Sequence, residues 1–199
     1  MNKLKKFVIA AGLIISMSVI SFNHKTEAAT THKIQNGDTY WKIATQYAVP
    51  IIDLMKINNA TTTTLYAGKN IVIPNSKISA ADKDLMARLV RAEAVGEPYA
   101  GKVAVATVIL NRVKHKDFPS TIRSVIYQVD SGHYAFTPVQ NGSINKPADA
   151  ASKKAVNEAI AFSGNGNGSL YFYNPKTAKS SWIQSREVTV TIGNHRFAK

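Results

Sequence analysis

The fold of this chain is decided by residues 80–113, which read AADKDLMARLVRAEAVGEPYAGKVAVATVILNRV. In the first half, apolar residues recur at helical spacing, and Asp82 is placed to cap a helix that Gly96 then ends. Pro98 opens a second helix, which is apolar on nearly every face over residues 103–110. Because a helix that is apolar all round is buried, the sequence predicts a domain built around this second helix.

The residues that follow predict two more helices and then strands. Helical patterns cover residues 120–127 and 149–162, and a glycine-rich run at 164–168 closes the second of them. At 170–173 and 188–192 the pattern changes to that of β-strands. Helices followed by strands indicate an α+β domain, mainly helical with a C-terminal β portion.

Glu93 extends the apolar stripe of the first helix, because Leu85, Leu89 and Glu93 follow one another four residues apart. Burial and the negative end of the helix dipole both raise the pKa of such a carboxyl group. A carboxylic acid that stays protonated near neutral pH is what glycosidic cleavage requires, since the leaving oxygen must receive a proton. The same pattern suits a structural residue at a helix end, so the residues alone leave both roles open.

Residues 32–74 form a compact unit with the pattern strand, helix, helix, strand. Four motifs in it resemble those of the LysM domain: Gly-Asp-Thr at 37–39, Trp-Lys-Ile-Ala at 41–44, Leu-x-x-x-Asn-Asn at 54–59 and Ile-x-Ile-Pro at 71–74. Tyr40 departs from the family, in which an aliphatic residue is more usual. The resemblance implies a small βααβ module that binds N-acetylglucosamine-containing glycans through Gly37, Asp38, Thr39, Tyr40, Asn58 and Asn59.

A second resemblance covers residues 80–199. Its motifs are RAEAVGEPYAGKVAVA at 91–106, VILNRV at 108–113, FPSTI at 118–122, FTPV at 136–139, YFYNP at 171–175 and IGNHRFA at 192–198. They resemble the SleB/CwlJ family of spore-cortex-lytic and cell-wall hydrolases, which is similar to lytic transglycosylases in fold and in its use of one glutamate. The resemblance implies that the catalytic residue is Glu93, and Glu97 is expected to be a structural partner of the helix that Pro98 opens.

The implied reaction is cleavage of the β-1,4 bond between N-acetylmuramic acid and N-acetylglucosamine. Glu93 would protonate the leaving oxygen and then act as a base while the C6 hydroxyl of muramic acid attacks its own anomeric carbon. This route ends in a 1,6-anhydro sugar and needs no second carboxylate. Lysozyme-like hydrolysis normally uses one, and the nominal candidates are Asp117, Asp130, Asp149 and Glu187.

Aromatic rings and amides of the second half are the candidate substrate-binding groups of this domain. They are Phe136, Thr137, Asn141, Tyr171, Tyr173, Asn174, Trp182 and His195. Strand alternation places Tyr171 and Tyr173 on one face, where they are expected to line the groove, and Phe172 on the other, in the core. His195 is by default a structural histidine. Where the family reads Gln-Phe-Ser-Pro, this chain has Ala-Phe-Thr-Pro at 135–138, so that Thr137 keeps the hydroxyl.

Two rival functions come from other classes of protein. A zinc amidase would cut the peptide from muramic acid and commonly needs three protein ligands. His115, His133 and His195 lie in the second half, but without a His-Glu-x-x-His pairing. A non-catalytic LysM protein would only bind the wall. Glycan cleavage is favoured over both, and it predicts no metal and no cofactor.

The first 28 residues predict export. Lys3, Lys5 and Lys6 precede an uncharged apolar run at 7–22, and small residues follow, as in a secretory signal peptide cleaved after Ala28. The alternative is a retained membrane anchor, for which the run is a little short. The predicted organisation is a signal peptide at 1–28, a LysM domain at 29–74, a linker at 75–79 and a catalytic domain at 80–199.

The amino-acid composition indicates what kind of molecule the chain binds. The chain has no cysteine, so its core must be stable without disulfides. A formal net charge of +13 favours polyanions; outside a bacterium these are wall polymers and not nucleic acid. The expected partner is therefore peptidoglycan, a polymer of N-acetylglucosamine and N-acetylmuramic acid. The expected location is secreted, at the cell wall or spore cortex. The sequence does not distinguish these two targets, and it neither requires nor excludes an activator protein.

Overall fold

The computed structural model describes residues 30–164 and 168–199, so the predicted signal peptide lies outside the described residues. The helices are α1 (Tyr40–Tyr47), α2 (Ile51–Ile57), α3 (Ala80–Glu93), α4 (Tyr99–Lys114), α5 (Ile122–Ile126), α6 (Thr137–Gln140), α7 (Ala150–Ala161) and α8 (Ser181–Gln184). The strands are β1 (Thr31–Lys33), β2 (Asn70–Val72), β3 (Val129–Asp130), β4 (His133–Tyr134), β5 (Tyr171–Tyr173), β6 (Val188–Ile192) and β7 (His195–Ala198). Within these ranges no helix is both long and apolar enough to cross a bilayer. The α+β prediction is confirmed.

The N-terminal module has the predicted βααβ order, with β1 and β2 paired antiparallel. Thr39 caps α1 by accepting a hydrogen bond from the backbone N–H of Lys42. Ala48 ends α1 in the left-handed conformation, and Pro50 precedes α2. Both helices bury an apolar face against the two strands, and Leu54 lies at the centre of this core.

Ser79, and not Asp82, is the N-cap of α3, which corrects the prediction. The Ser79 hydroxyl accepts a hydrogen bond from the backbone N–H of Asp82 at 3.0 Å. The same hydroxyl donates to the Asp82 carboxylate at 2.7 Å. The cap moves because Asp82 then occupies the first turn, where a negative charge favours the helix. At the other end α3 stops at Glu93, and Gly96 turns the chain with a φ of +76°.

The second domain is built around α4, as its all-round apolar pattern predicts. Val105, Ala106, Val108 and Ile109 of this helix are fully buried. Helices α3 and α7 pack on α4, and α7 begins after its N-cap Asp149, which accepts a hydrogen bond from the backbone N–H of Ser152 at 2.6 Å. The long helices are therefore predicted well from periodicity.

A three-stranded antiparallel sheet in the order β5-β7-β6 completes this domain. Its central strand, β7, was not predicted, because four residues after the Gly193-Asn194 turn are too few to show alternation. A second small ribbon joins β3 to β4 through Ser131 and Gly132, whose positive φ angles of 49° and 80° suit a tight hairpin turn. The sequence pattern did not predict this ribbon either.

The two modules pack directly on each other. Ala48, which follows α1, belongs to the core of the second domain, and Ala161 of α7 belongs to the core of the first. The connecting segment, expected to need little structure, is held in place by a Ser76 hydroxyl that donates to the Ala48 carbonyl at 3.1 Å. A cavity of about 540 Å³ lies along this junction, and none of the predicted site residues lines it.

Candidate active site

Glu93 is the last residue of α3, where it is half-buried between the apolar core and solvent. Desolvation raises the pKa of its carboxyl group to about 7, against an ordinary value of 4.5, and the charge of Arg112 acts in the opposite direction. The raised pKa agrees with the sequence-based expectation for this position. Near neutral pH the group is populated in both the acid and the base form, as a residue that donates and then accepts a proton requires.

Arg112 is the buried cation of the site, and sequence reasoning missed it. It lies on α4 with 7% of its surface exposed, and its Nε donates to the Leu170 carbonyl at 2.7 Å. Its guanidinium carbon lies 5.0 Å from the ring centroids of both Phe118 and Phe136 and 5.6 Å from that of Tyr171. Burial lowers the pKa of Arg112 to about 10, while Tyr171 and Glu93 oppose the shift. The available signal was an arginine placed two residues after the all-round apolar run at 103–110 of the same helix.

Two arginines of α3 fix the segment that carries several predicted substrate contacts. Arg88 Nη1 donates to the Ile144 carbonyl at 3.0 Å, and Arg91 Nη2 donates to the Ser143 carbonyl at 2.6 Å. These bonds hold the 3₁₀ turn at Ser143–Asn145 beside α3. The segment that begins at α6 is thereby positioned along the helix that ends in Glu93.

The predicted residues of this segment differ in exposure. Thr137 and Asn141 are exposed at the two ends of α6, and the Asn141 side-chain oxygen accepts a hydrogen bond from the backbone N–H of Ser143 at 2.9 Å. Phe136 is only 2% exposed. The expectation that its ring faces substrate is wrong, because Arg112 and Phe172 cover it. Phe136 instead packs inside the domain, against Arg112 and Phe172.

The exposure of the aromatic side chains of β5 differs in part from the prediction. Tyr173 is only 7% exposed and so does not line an open groove, whereas Phe172 is half-buried and contacts Phe136 and His195 with centroid distances of 6.3 and 5.4 Å. Tyr171 is half-buried and meets Trp182 edge to face at 5.2 Å. Alternation identified which residues share a face, but rings and helices cover both faces of this strand.

The remaining predicted residues lie around the same sheet. Asn174 is half-buried in a turn, where its side-chain oxygen accepts from the backbone N–H of Lys176 at 2.9 Å. Trp182 is 52% exposed on α8. His195 is half-buried against Phe197, and its Nδ1 is buried without a hydrogen-bond partner among the described residues. The aromatic contacts therefore join Trp182 to Tyr171 of β5 and His195 to Phe172 of the same strand.

Glu97 has the structural role expected of it. Its two carboxylate oxygens accept hydrogen bonds from the backbone N–H and the side-chain amide of Asn194, at 2.9 and 3.1 Å. Gly193 leaves room for this contact, because a Cβ at that position would overlap the Glu97 carboxylate and the ring of Pro98. Glu97 thus fastens the β6–β7 turn to the start of α4.

Most of the glycan-binding residues predicted for the first module also hold that module together. The Asp38 carboxylate lies 2.9 Å from His32 Nε2 and accepts from the backbone N–H of Gln35 at 2.8 Å. The Asn58 amide donates to the Leu54 and Val72 carbonyls and accepts from the Val72 N–H. Tyr40 is buried, and Thr39 caps α1. Gly37, Thr39 and Asn59 are the exposed members of the set. The Gly37 carbonyl accepts a hydrogen bond from Lys42 Nζ at 2.6 Å, and Asn59 makes no side-chain hydrogen bond among the described residues.

The three histidines considered for a zinc site lie on separate elements: His115 follows α4, His133 is in β4 and His195 is in β7. Residues 30–164 and 168–199 contain no group of three histidine or acidic side chains placed to hold a metal ion.

Comparison with known protein families gives two matches. Residues 96–198 match the family model described as Cell Wall Hydrolase, and residues 32–74 match the LysM domain. The first match covers just over half of the chain and begins at Gly96, within the turn that follows Glu93.

Individual relatives and solved structures agree with these matches. The spore cortex-lytic enzyme of Bacillus cereus is 45% identical over 132 residues, which are 66% of this chain and 49% of that protein. The spore cortex-lytic enzyme of Halalkalibacterium halodurans is 43% identical over 58% of this chain and 34% of that protein. The chain therefore spans about half or less of the length of these relatives. The catalytic domain of the germination-specific lytic transglycosylase SleB from Bacillus anthracis has a TM-score of 0.55 and 42% identity, covering 64% of this chain and all of that domain.

Proposed function

This chain belongs to the cell wall hydrolase family, and on that premise we propose that it cleaves the glycan strands of peptidoglycan. The proposed bond joins N-acetylmuramic acid to N-acetylglucosamine. The observation that carries the proposal is the half-buried carboxyl group of Glu93, whose desolvation raises its pKa to about 7. Relatives of this chain include a lytic transglycosylase and spore cortex-lytic enzymes, which supports the same chemistry.

In the proposed mechanism Glu93 acts twice. Its protonated form donates the proton to the glycosidic oxygen, so the bond to the muramic acid anomeric carbon breaks and the leaving sugar departs as an alcohol. The resulting carboxylate accepts the proton of the muramic acid C6 hydroxyl, whose oxygen attacks that anomeric carbon and closes the 1,6-anhydro ring. Glu93 is then protonated again, and no water is consumed. Arg112 stabilises the carboxylate between the two steps, since its charge favours the ionised form.

The surroundings of Glu93 favour this route over lysozyme-like hydrolysis. Desolvation and Arg112 are the causes of its shifted pKa, and no second carboxylate among the described residues contributes. Of the nominal second acids, Asp149 is engaged in capping α7, and Asp117 lies 3.7 Å from His115. A neighbouring carboxylate would be expected to raise the pKa of Glu93 by charge repulsion.

We further infer that the LysM module holds the chain on its polymer, at the cell wall or spore cortex outside the cell. Gly37, Thr39 and Asn59 are its exposed candidates for sugar contact. The test uses the full chain: Asn59→Gly removes the side chain while tolerating the φ of 52°. Weaker retention of this variant on insoluble peptidoglycan would support the inference, and unchanged retention would contradict a role for Asn59.

Mass spectrometry of the fragments released from purified wall and from spore cortex tests the reaction. We expect 1,6-anhydromuramic ends in the wild-type digest and none in a Glu93→Gln digest. Reducing ends would indicate hydrolysis in place of transglycosylation. Free stem peptides would indicate an amidase. The absence of soluble product from both polymers would indicate a protein that only binds the wall.

A further inference from the structure

A stack of guanidinium groups and aromatic rings runs outward from Arg112. The ring of Tyr171 contacts two arginines, because the guanidinium carbon of Arg112 lies 5.6 Å from its centroid and that of Arg186 lies 5.1 Å from it. The guanidinium carbon of Arg186 also lies 4.3 Å from the Trp182 ring centroid. Arg186 therefore shares a ring contact, that of Tyr171, with the buried cation of the site.

The guanidinium of Arg186 has no anionic partner in the part of the chain that the structure describes. Among the described residues it takes part in no ion pair, and its buried Nε has no hydrogen-bond acceptor. Stacking on aromatic rings fixes the plane of a guanidinium but leaves its N–H edge available. Such an edge matches a carboxylate, which it binds through two parallel hydrogen bonds.

Trp182 lies beside this cation as an exposed flat surface. It is on α8, a four-residue helix with no buried residue, and 52% of the Trp182 side chain and backbone surface is exposed. Contacts with Tyr171 and Arg186 hold the indole ring in place. A flat ring beside a stacked cation suits a ligand that carries both a sugar ring and a negative charge.

We propose that Arg186, which stacks against both Trp182 and Tyr171, binds a carboxylate carried by the muramic acid side of the substrate. Two sources have this chemistry: the lactyl carboxylate of a peptide-free muramic acid and the carboxylates of a stem peptide. This inference rests on the proposed function, because it takes the glycan strand of peptidoglycan as the ligand. It makes Arg186 a specificity residue that distinguishes muramic acid-containing strands from uncharged polymers of N-acetylglucosamine.

The test measures binding, so that it does not depend on turnover. Full-length Glu93→Gln protein is titrated with soluble, teichoic-acid-free glycan fragments, either untreated or with their carboxylates converted to neutral amides. We expect Arg186→Met to weaken binding of the untreated fragments about tenfold, as for loss of a hydrogen bond to a charged group. Binding of the neutral fragments should change by less than about twofold, since the charge pair is absent there. Fragments with and without stem peptides separate the two sources of carboxylate.

Arg123→Met is the matched control. Arg123 also stacks on an exposed tyrosine, Tyr127, at 5.2 Å, and its removal lowers the net charge by the same amount. An equal loss in both variants would reduce the effect to general attraction of a basic protein for a polyanion and overturn the proposal. An Arg186→Met loss that is equal on untreated and neutral fragments, or the absence of any loss, would also overturn it. The released ends seen by mass spectrometry test the proposed reaction separately, whatever the outcome for Arg186.

Discussion

A glutamate stands at each end of the turn between α3 and α4, and the two carboxyl groups have opposite environments. Glu93, before the turn, is half-buried and accepts no hydrogen bond from another described residue, so desolvation raises its pKa to about 7. Glu97, after the turn, accepts two hydrogen bonds from Asn194 and fastens a hairpin. Donors that satisfy a carboxylate stabilise its ionised form, whereas burial without them favours the protonated form. One glutamate is thereby available for proton transfer, and the other is a structural contact.

Replacement of Glu93 by glutamine should have the largest effect. Glu93→Gln keeps the size of the side chain but cannot donate a carboxylic proton, and general acid–base assistance contributes about 10²–10⁴-fold in rate. Because one residue serves as both acid and base, we expect a loss at the upper end of that range. Release of soluble fragments from purified wall is the measurement, with circular dichroism to show that the variant is folded. A folded variant that works at near wild-type rate would remove Glu93 from the mechanism.

The dependence of the rate on pH should report the titration of Glu93. The folded pKa of Glu93 lies above its ordinary value, so the acid form is lost as the pH rises through about 7. The rate should then fall by about tenfold for each further pH unit, as expected for an essential acid. The measurement is the rate on soluble fragments between about pH 5 and about pH 9. A rate that stays flat across about pH 7 would contradict the assignment.

The free energy of unfolding should also depend on pH through the raised pKa of Glu93. Because the folded pKa is raised, the stabilisation from the protonated carboxyl is fully present below 4.5 and is lost as the pH rises through about 7. The free energy of unfolding of the wild type, relative to Glu93→Gln, should therefore fall across this window by up to about 3 kcal/mol. Urea denaturation of both proteins at the two ends of the window measures the difference. A constant difference would show that the carboxyl group is not desolvated.

Arg112 sharpens the comparison, because its charge is what holds the pKa of Glu93 down. In Arg112→Gln the charge is absent, so the fall in rate should move to higher pH. Glutamine can still donate a hydrogen bond toward the Leu170 carbonyl, whereas Arg112→Met cannot and leaves that carbonyl unpaired. Both variants should therefore show the shifted pH profile, and the methionine variant should be the less stable of the two. An unshifted profile in both would mean that Arg112 does not act on Glu93.

The smallest effect on rate is expected at Glu97. Glu97→Gln weakens the contact with Asn194, which should lower the free energy of unfolding by about 1–2 kcal/mol. Below the melting transition, the rate on soluble fragments should stay within about threefold of the wild type, since no proton transfer depends on this carboxylate. Urea denaturation and the initial rate together measure the two effects. A rate loss as large as that of Glu93→Gln would end the distinction between the two glutamates.

Local patterns predicted the parts of this protein that depend on local physics. The all-round apolar run predicted that α4 is buried, and the spacing of Leu85, Leu89 and Glu93 predicted a carboxyl group at the edge of the core. The two family resemblances followed from contiguous motifs and agree with the matched domains. Each of these conclusions needs information from neighbouring residues only, because helical periodicity and caps are set within a few turns.

Tertiary structure decided which side chains meet across the chain. Phe136 is buried because Arg112 and Phe172 cover it, and Arg186 belongs to the site because the aromatic stack joins it to Tyr171. The packing of the two modules through Ala48 and Ala161 was equally absent from the sequence pattern. Contacts of this kind join residues that are far apart in the chain, and no local period records them. Periodicity states which face a residue lies on, whereas the exposure and charge environment of that face depend on what the rest of the chain packs against it.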